Sequence, residues 1–358
     1  MILIPLPGFP GSYDKVFPNY EAVIPPHPLG EDYLIEGGAG SVSTGDGDDF
    51  VRAKAYVGSI DLGKGNDIAF IEGGAGTVKA GGGADLIVAD SFVGTIDAGG
   101  GWDAVVLRGF AGANTVELGN GFDFFQSEGG YVGRIDAGAK SDAVVIGTGG
   151  AGTVKLGSGV LDLLGAEGYV STVHGGSGID GVLLTAGGGT VNLAGGSDGF
   201  LSSNAWVNQV NGNAGKDAIA VLGGGSVNGG GGKDFIAIGD KTVSANGGNG
   251  KDEFGLLFDK DQWDFVNGGA GKDELFIFVE DNAEKATLIA ELEAELGITV
   301  GDGYTDPAAG NPGDGFVSAL NATLQSIESI SVVVEDDYFG LVTAVLDETG
   351  VLDALDIV

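Results

Sequence analysis

One aspartate recurs down this chain at a nearly fixed interval, and that periodicity limits the fold more than any other feature. It falls at Asp49, Asp67, Asp85, Asp103, Asp123, Asp142, Asp162, Asp180, Asp198, Asp217, Asp234, Asp252 and Asp273. The intervals are 18, 18, 18, 20, 19, 20, 18, 18, 19, 17, 18 and 21 residues. Most copies close a Gly-x-Gly-x-Asp, as in Gly63-Lys64-Gly65-Asn66-Asp67 and Gly119-Asn120-Gly121-Phe122-Asp123. A unit this short has no core of its own, so it must bury its apolar face against copies of itself, which makes a solenoid.

The apolar spacing sets the cross-section. Ile60, Ala69, Val78, Ile87, Ile96 and Val105 follow one another every nine residues. Each 18-residue unit therefore has two equivalent inward positions, hence two short strands with a tight turn after each. A three-sided left-handed β-helix also has 18 residues per coil, but its inward positions recur every six, so it ranks second. The expected fold is an all-β solenoid, a parallel β-roll of about 13 coils spanning residues 37–279. Residues 1–36 form a proline-rich arm or cap, and 280–358 a small α/β C-terminal region.

The two turns of a coil differ. One carries Gly-x-Gly-x-Asp; the other, as in Gly73-Gly74-Ala75-Gly76, has glycine and no regular aspartate. Glycine serves both because tight turns need positive φ and close backbone approach. The roll thus has one edge with a file of carboxylates. The chain carries 51 acidic against 16 basic residues, net −35. Such charge opposes compaction and disfavours nucleic acid or an anionic membrane as partner. Hard cations prefer carboxylate and carbonyl oxygen, and soft ligands are scarce, with no cysteine and only His27 and His174. Ca²⁺ is the ion this chemistry selects.

The motif resembles the repeats-in-toxin (RTX) nonapeptide, Gly-Gly-x-Gly-x-Asp-x-apolar-x. Four copies match its first six positions: Gly175 to Asp180, Gly229 to Asp234, Gly247 to Asp252 and Gly268 to Asp273. The resemblance covers residues 44 to 279 and implies a β-roll with several Ca²⁺ ions between successive turns on one edge. The implied ligands are Asp49, Asp67, Asp85, Asp103, Asp123, Asp180, Asp217, Asp234, Asp252 and Asp273, with turn carbonyls beside them. Early copies place Thr44, Leu62, Ala80, Ala98 or Leu118 at the first glycine, and the turns at Asp142, Asp162 and Asp198 depart further, so these three are left out. The best-formed site is expected between Asp234 and Asp252.

The flanks carry other expectations. The apolar start, Met1 to Pro7, has no basic region and is broken by prolines, unlike a Sec signal. No apolar run is long enough for a transmembrane helix. Ala283 to Leu296 reads as a helix with Leu288, Leu292 and Leu296 on one stripe, Phe316 to Ile327 as a second helix, and Ser329 to Val334 as a strand. The acidic, apolar end, Leu352 to Val358, resembles the uncleaved type I secretion signal of RTX proteins, which implies export by that machinery to the cell surface or beyond.

Gly195-Gly196-Ser197-Asp198-Gly199 fits the nucleophile-elbow pattern but lies inside the repeat, without strand–elbow–helix context. His174 falls at an outward, variable column. Ser59, Thr77, Thr95, Thr115, Thr153, Thr172 and Thr190, interrupted by Arg134, form a hydroxyl column suited to ice or simply to a sheet surface. The expected protein is a non-enzymatic, secreted, calcium-binding structural component of a surface layer (S-layer), matrix or adhesive coat, which folds on Ca²⁺ and self-assembles. The alternatives are a ligand-binding module for glycan or ice, and an enzyme acting on polysaccharide along the roll face.

Overall fold

A computed structural model describes residues 12–26, 30–203, 205–239, 241, 243–258, 264–279, 281–296, 315–318, 320 and 322–334. The chain is a parallel β-solenoid of about fourteen turns, divided at His174 and Gly175 into two compact units.

In the first unit each coil runs through a long strand, the aspartate turn, a short strand and a second turn. The long strands Ala39–Asp46, Val57–Lys64, Ala75–Gly82 and Val93–Gly101 stack in parallel as one sheet. The short strands Phe50–Ala53, Ile68–Ile71, Leu86–Ala89 and Ala104–Leu107 stack as the other. Equivalent residues lie directly over one another, so every column along the roll holds one residue type per coil. The residues spaced by nine, Ile60 to Val105, are at most 1% exposed and fill the interior. Burying a Val, Leu or Ile side chain stabilises by about 1.5–3 kcal/mol. Strand stacking begins inside residues 1–36: Lys15–Phe17 pairs in parallel with Asp32–Ile35, and Glu21–Ile24 with Ala39–Asp46. The Tyr13 ring packs on Phe50, centroids 6.1 Å apart.

The second unit repeats the scheme, with long strands Gly188–Gly196, Val207–Gly215, Gly225–Gly231, Val243–Gly250 and Asp264–Gly271. A register shift between Val207 and Val210 absorbs the 17-residue interval before Asp234. The coil then opens to admit the helix Asn282–Leu296. Asp281 caps it, its Oδ1 accepting the amides of Ala283 and Glu284 at 2.7 and 2.8 Å. Leu288 and Leu292 are buried, as their stripe predicts.

The second helix expected over Phe316 to Ile327 is instead a strand pair. Gly315–Val317 runs antiparallel to Ala322–Gln325, which extends the long-strand sheet beside Asp264–Gly271. Ala322 and Leu324 are buried while Gln325 is exposed. This period-two burial, next to an open sheet edge that needs pairing, outweighs helical propensity. Ser329–Val334 is a strand as expected and pairs with Glu274–Val279.

Candidate metal-binding edge

The recurring aspartate sits at the corner between long and short strand, immediately before the short strand's first residue, or as its second residue at Asp162 and Asp180. Its side chain turns inward: Asp49, Asp67, Asp85, Asp103 and Asp123 are at most 3% exposed. One carboxylate oxygen closes the backbone of the coil before. Asp67 Oδ1 accepts the amide of Asp49 at 2.8 Å, Asp85 that of Asp67 at 2.7 Å, Asp103 that of Asp85 at 2.9 Å, and Asp123 that of Asp103 at 2.8 Å. In the second unit the relay runs from Asp180 through Asp198, Asp217, Asp234 and Asp252 to Asp273. All ten residues expected as ligands stand in these two files.

So do the three that the motif set aside. Asp142 and Asp162 accept the amides of Asp123 and Asp142, both at 2.8 Å, and Asp198 that of Asp180. Their turns keep the shared path with non-glycine residues at positive φ, Lys140 at 78° and Ala194 at 77°. Two glutamates extend the files unnoticed by the repeat. Glu31 precedes Asp32–Ile35 as each aspartate precedes its short strand, and its amide bonds Asp49. Glu328 precedes Ser329–Val334, and its Oε2 accepts the Asp273 amide at 2.6 Å. The common signal was an acidic residue directly before a short apolar strand.

The second oxygen has no such role. Oδ2 of Asp67, Asp85, Asp103, Asp123, Asp142, Asp217, Asp234, Asp252 and Asp273 is buried without a hydrogen-bond partner. Burial first, and neighbouring carboxylates second, push Asp67 and Asp103 up to about 7, and Asp142 and Asp198 to about 8. Burial likewise lifts Asp217, Asp234, Asp252 and Asp273 to about 6. Two of the lysines beside these aspartates bond elsewhere: Lys233 pairs with Glu253 at 2.7 Å and Lys251 with Glu274 at 3.0 Å. An ionised carboxylate held out of water without a partner is costly. Each file must therefore hold protons or be given cations.

The edge has the donors for a hard cation. Turn carbonyls line the edge, and beside Asp217, Asp234, Asp252 and Asp273 they flank the orphaned oxygen. The glycines of successive coils pack so closely that a Cβ on Gly81 would strike the Gly63 carbonyl, and one on Gly83 that of Gly65. At the first glycine of the full motif the neighbours include the carboxylate itself. A Cβ on Gly229 would lie 2.6 Å from Asp234 Oδ2 and 2.7 Å from the Gly247 carbonyl, and Gly212, Gly247 and Gly268 face their own aspartates in the same way. In the first unit the same column is filled by buried Leu62, Ala80, Ala98 and Leu118. The second unit thus keeps carboxylate and carbonyl oxygen facing each other, where the first packs apolar atoms. Because carboxylates arrive one per coil, no group of three or more His, Cys, Asp or Glu converges among the described residues. A cation on this edge would be held by the aspartates together with oxygens of the turn backbone.

The other candidate sites sit as ordinary repeat surface. Gly195 to Gly199 joins strand Gly188–Gly196 to strand Gly199–Ser202, without a helix to form an elbow. His174 is exposed.

No known family model matches the chain, and no curated protein does either. Among solved structures the chain is similar to a hyperactive, Ca²⁺-dependent, β-helical antifreeze protein from an Antarctic bacterium. The TM-score is 0.51 and the sequence identity 19%, and the match covers 91% of this chain and 94% of that one. At this identity the likeness is one of fold, a parallel β-solenoid of comparable extent.

Proposed function

We propose that this protein is a calcium-binding β-roll of the RTX type, in which Ca²⁺ on the aspartate edge completes the fold. The observation that carries the reading is the file of buried aspartates, in which Asp67, Asp85, Asp103, Asp123, Asp142, Asp217, Asp234, Asp252 and Asp273 each commit one oxygen to backbone and leave the other without a hydrogen-bond partner. Bound Ca²⁺ supplies positive charge and six to eight oxygen-seeking coordination positions. The chain's part is to hold carboxylates and turn carbonyls on one edge at the coil spacing. Asp217, Asp234, Asp252 and Asp273 are the strongest ligands, since their turns keep glycine opposite the carboxylate. The Ca²⁺ dependence of the similar antifreeze protein supports the same chemistry here.

A chain that folds only where calcium is plentiful suits export. We therefore read it as a secreted, non-enzymatic structural component that assembles at or beyond the cell surface. Binding free energy becomes folding free energy when the unfolded chain has no site. Far-UV circular dichroism in chelator is expected to show loss of β signal, recovered on adding Ca²⁺ at about 10⁻⁴ to 10⁻³ M. An unchanged β spectrum in chelator overturns the reading.

A second reading is ice binding. It is favoured by the in-register column Ser59, Thr77, Thr95 and Thr115 and by the function named for the similar structure. Arg134 breaks the column, and Asp61, Lys79, Asp97 and Glu117 run beside it. Thermal hysteresis lost on Thr95→Tyr would establish this reading; none in the calcium-loaded protein excludes it.

A further inference from the structure

The edge opposite the aspartates carries a second order with twice the coil period. In the first unit, Tyr20, Tyr56, Phe92, Tyr131 and Tyr169 are each 50–64% exposed. Coils between them have Gly38, Gly74, Gly112 and Gly150 at the same place. The stacking is explicit: the carbonyls of Tyr56, Phe92, Tyr131 and Tyr169 accept the amides of Ala39, Ala75, Ala113 and Ala151, the residues that follow those glycines. Aromatic and glycine coils therefore alternate without a break.

The alternation serves the rings. A side chain on Gly76 would come within 3.1 Å of the Tyr56 hydroxyl, one on Gly40 within 3.2 Å of that of Tyr20, and one on Gly152 within 2.8 Å of that of Tyr131. Tyr20, Tyr56 and Tyr131 thus reach across the bare glycine path of the next coil and stay more than half exposed. With coils about 4.8 Å apart, successive rings are roughly 9–10 Å apart, close to the length of two β-1,4-linked pyranose units. Beside the rings runs the half-exposed hydroxyl column Ser41, Ser59, Thr77, Thr95, Thr115 and Thr153, interrupted by Arg134, which pairs with Asp136; beyond it stand Asp61, Asp97, Glu117 and Asp136 against Lys79 and Lys155. The acidic flank repels a polyanion and admits a neutral chain. In the second unit, Trp206 holds the equivalent position before Val207, and its ring borders a cavity of about 550 Å³ lined also by Ser226, Ser244 and Phe265. Aromatic surface paired with hydroxyls thus recurs independently there.

We infer that this edge binds an unbranched, neutral, β-1,4-linked glycan, with alternate sugars stacked on the aromatic rings and their hydroxyl groups bonded to the Ser/Thr column. Large exposed aromatic patches mark binding surfaces, and aromatic rings are anchors of low conformational entropy. This surface is separate from the calcium edge and needs calcium only insofar as folding does.

The test is isothermal titration of the calcium-loaded full chain with cellohexaose, cellobiose and maltohexaose, on protein whose β spectrum is verified. Failure to fold and failure to bind are then separate readouts. Cellohexaose is expected to bind, cellobiose much more weakly, and the α-linked maltohexaose not at all. Tyr56→Ala and Tyr131→Ala should each weaken binding about tenfold, Tyr56→Phe should retain it, and Trp102→Ala, exposed on the aspartate edge, should leave it unchanged. Tyr56→Leu guards against loss of packing and should weaken binding as Ala does. Absence of cellohexaose binding to folded protein, equal binding of maltohexaose, or full binding by the Tyr56→Ala/Tyr131→Ala double variant overturns the assignment. Tyrosine variants that bind the glycan normally but no longer self-associate would give the strip to a second copy of the chain, and also overturn it.

Discussion

The edge aspartates commit one oxygen to the backbone of a neighbouring coil, and the glycines around them decide what the other oxygen faces. Gly101 has φ 149°, and a Cβ there would run into the Gly83 carbonyl. Gly101→Ala is therefore expected to cost about 3 kcal/mol or more, since strain and clash act together. Lys140 shows the converse. It stands at φ 78° where other turns have glycine, so Lys140→Gly should stabilise by about 1 kcal/mol. Chemical denaturation of the calcium-loaded variants checks both signs. The period of the edge aspartates was legible from sequence because each coil brings one to the same corner. The continuity at Asp142, Asp162 and Asp198 was not, because pairing with neighbouring coils holds a turn in register even after its glycines are lost. Glu328 was hidden by distance, 55 residues beyond the amide it accepts.

At the scale of the element, the file of carboxylates sets a pH dependence of definite sign. Burial raises the folded values of Asp67, Asp103, Asp142 and Asp198 to about 7 or 8, above the ordinary 3.8. Between pH 4 and 8 the metal-free fold then binds more protons than the unfolded chain, so its stability falls as pH rises. The contribution is complete below about pH 4 and lost as pH passes 6 to 8. In chelator the β signal should therefore be larger at pH 5 than at pH 8, where it is lost. Saturating Ca²⁺ should flatten or reverse that slope, because the ion competes with the proton for the same oxygen. A chelated protein more stable at pH 8 than at pH 5 contradicts this account of the edge. The inward spacing of nine was readable because both strands of a coil feed one core. The strands Gly315–Val317 and Ala322–Gln325 were not, because their pairing depends on a sheet edge left open by an inserted helix. The aromatic strip escaped notice for a related reason. Its period is two coils, and Tyr and Phe share one position.

For the whole molecule, net charge of −35 keeps metal-free chains apart and opposes their own compaction. Bound Ca²⁺ would relieve both effects, so on the proposed reading folding and self-association should share one ion. Light scattering over a calcium titration is expected to show assembly in the same range as the gain of β structure. A protein that folds with calcium and stays monomeric at high concentration excludes the structural-lattice role and moves weight to the glycan-binding surface.

The central claim is that the oxygens without partners on the aspartate edge hold calcium. The most direct test is an anomalous-scattering map from crystals grown in Ca²⁺. Peaks are expected along the edge at about 2.3–2.6 Å from carboxylate and turn carbonyl oxygens, strongest beside Asp234 and Asp252 and weaker in the first unit beside Leu62 and Ala80. A fully folded protein in saturating calcium, with no anomalous density along either aspartate file, would contradict the claim.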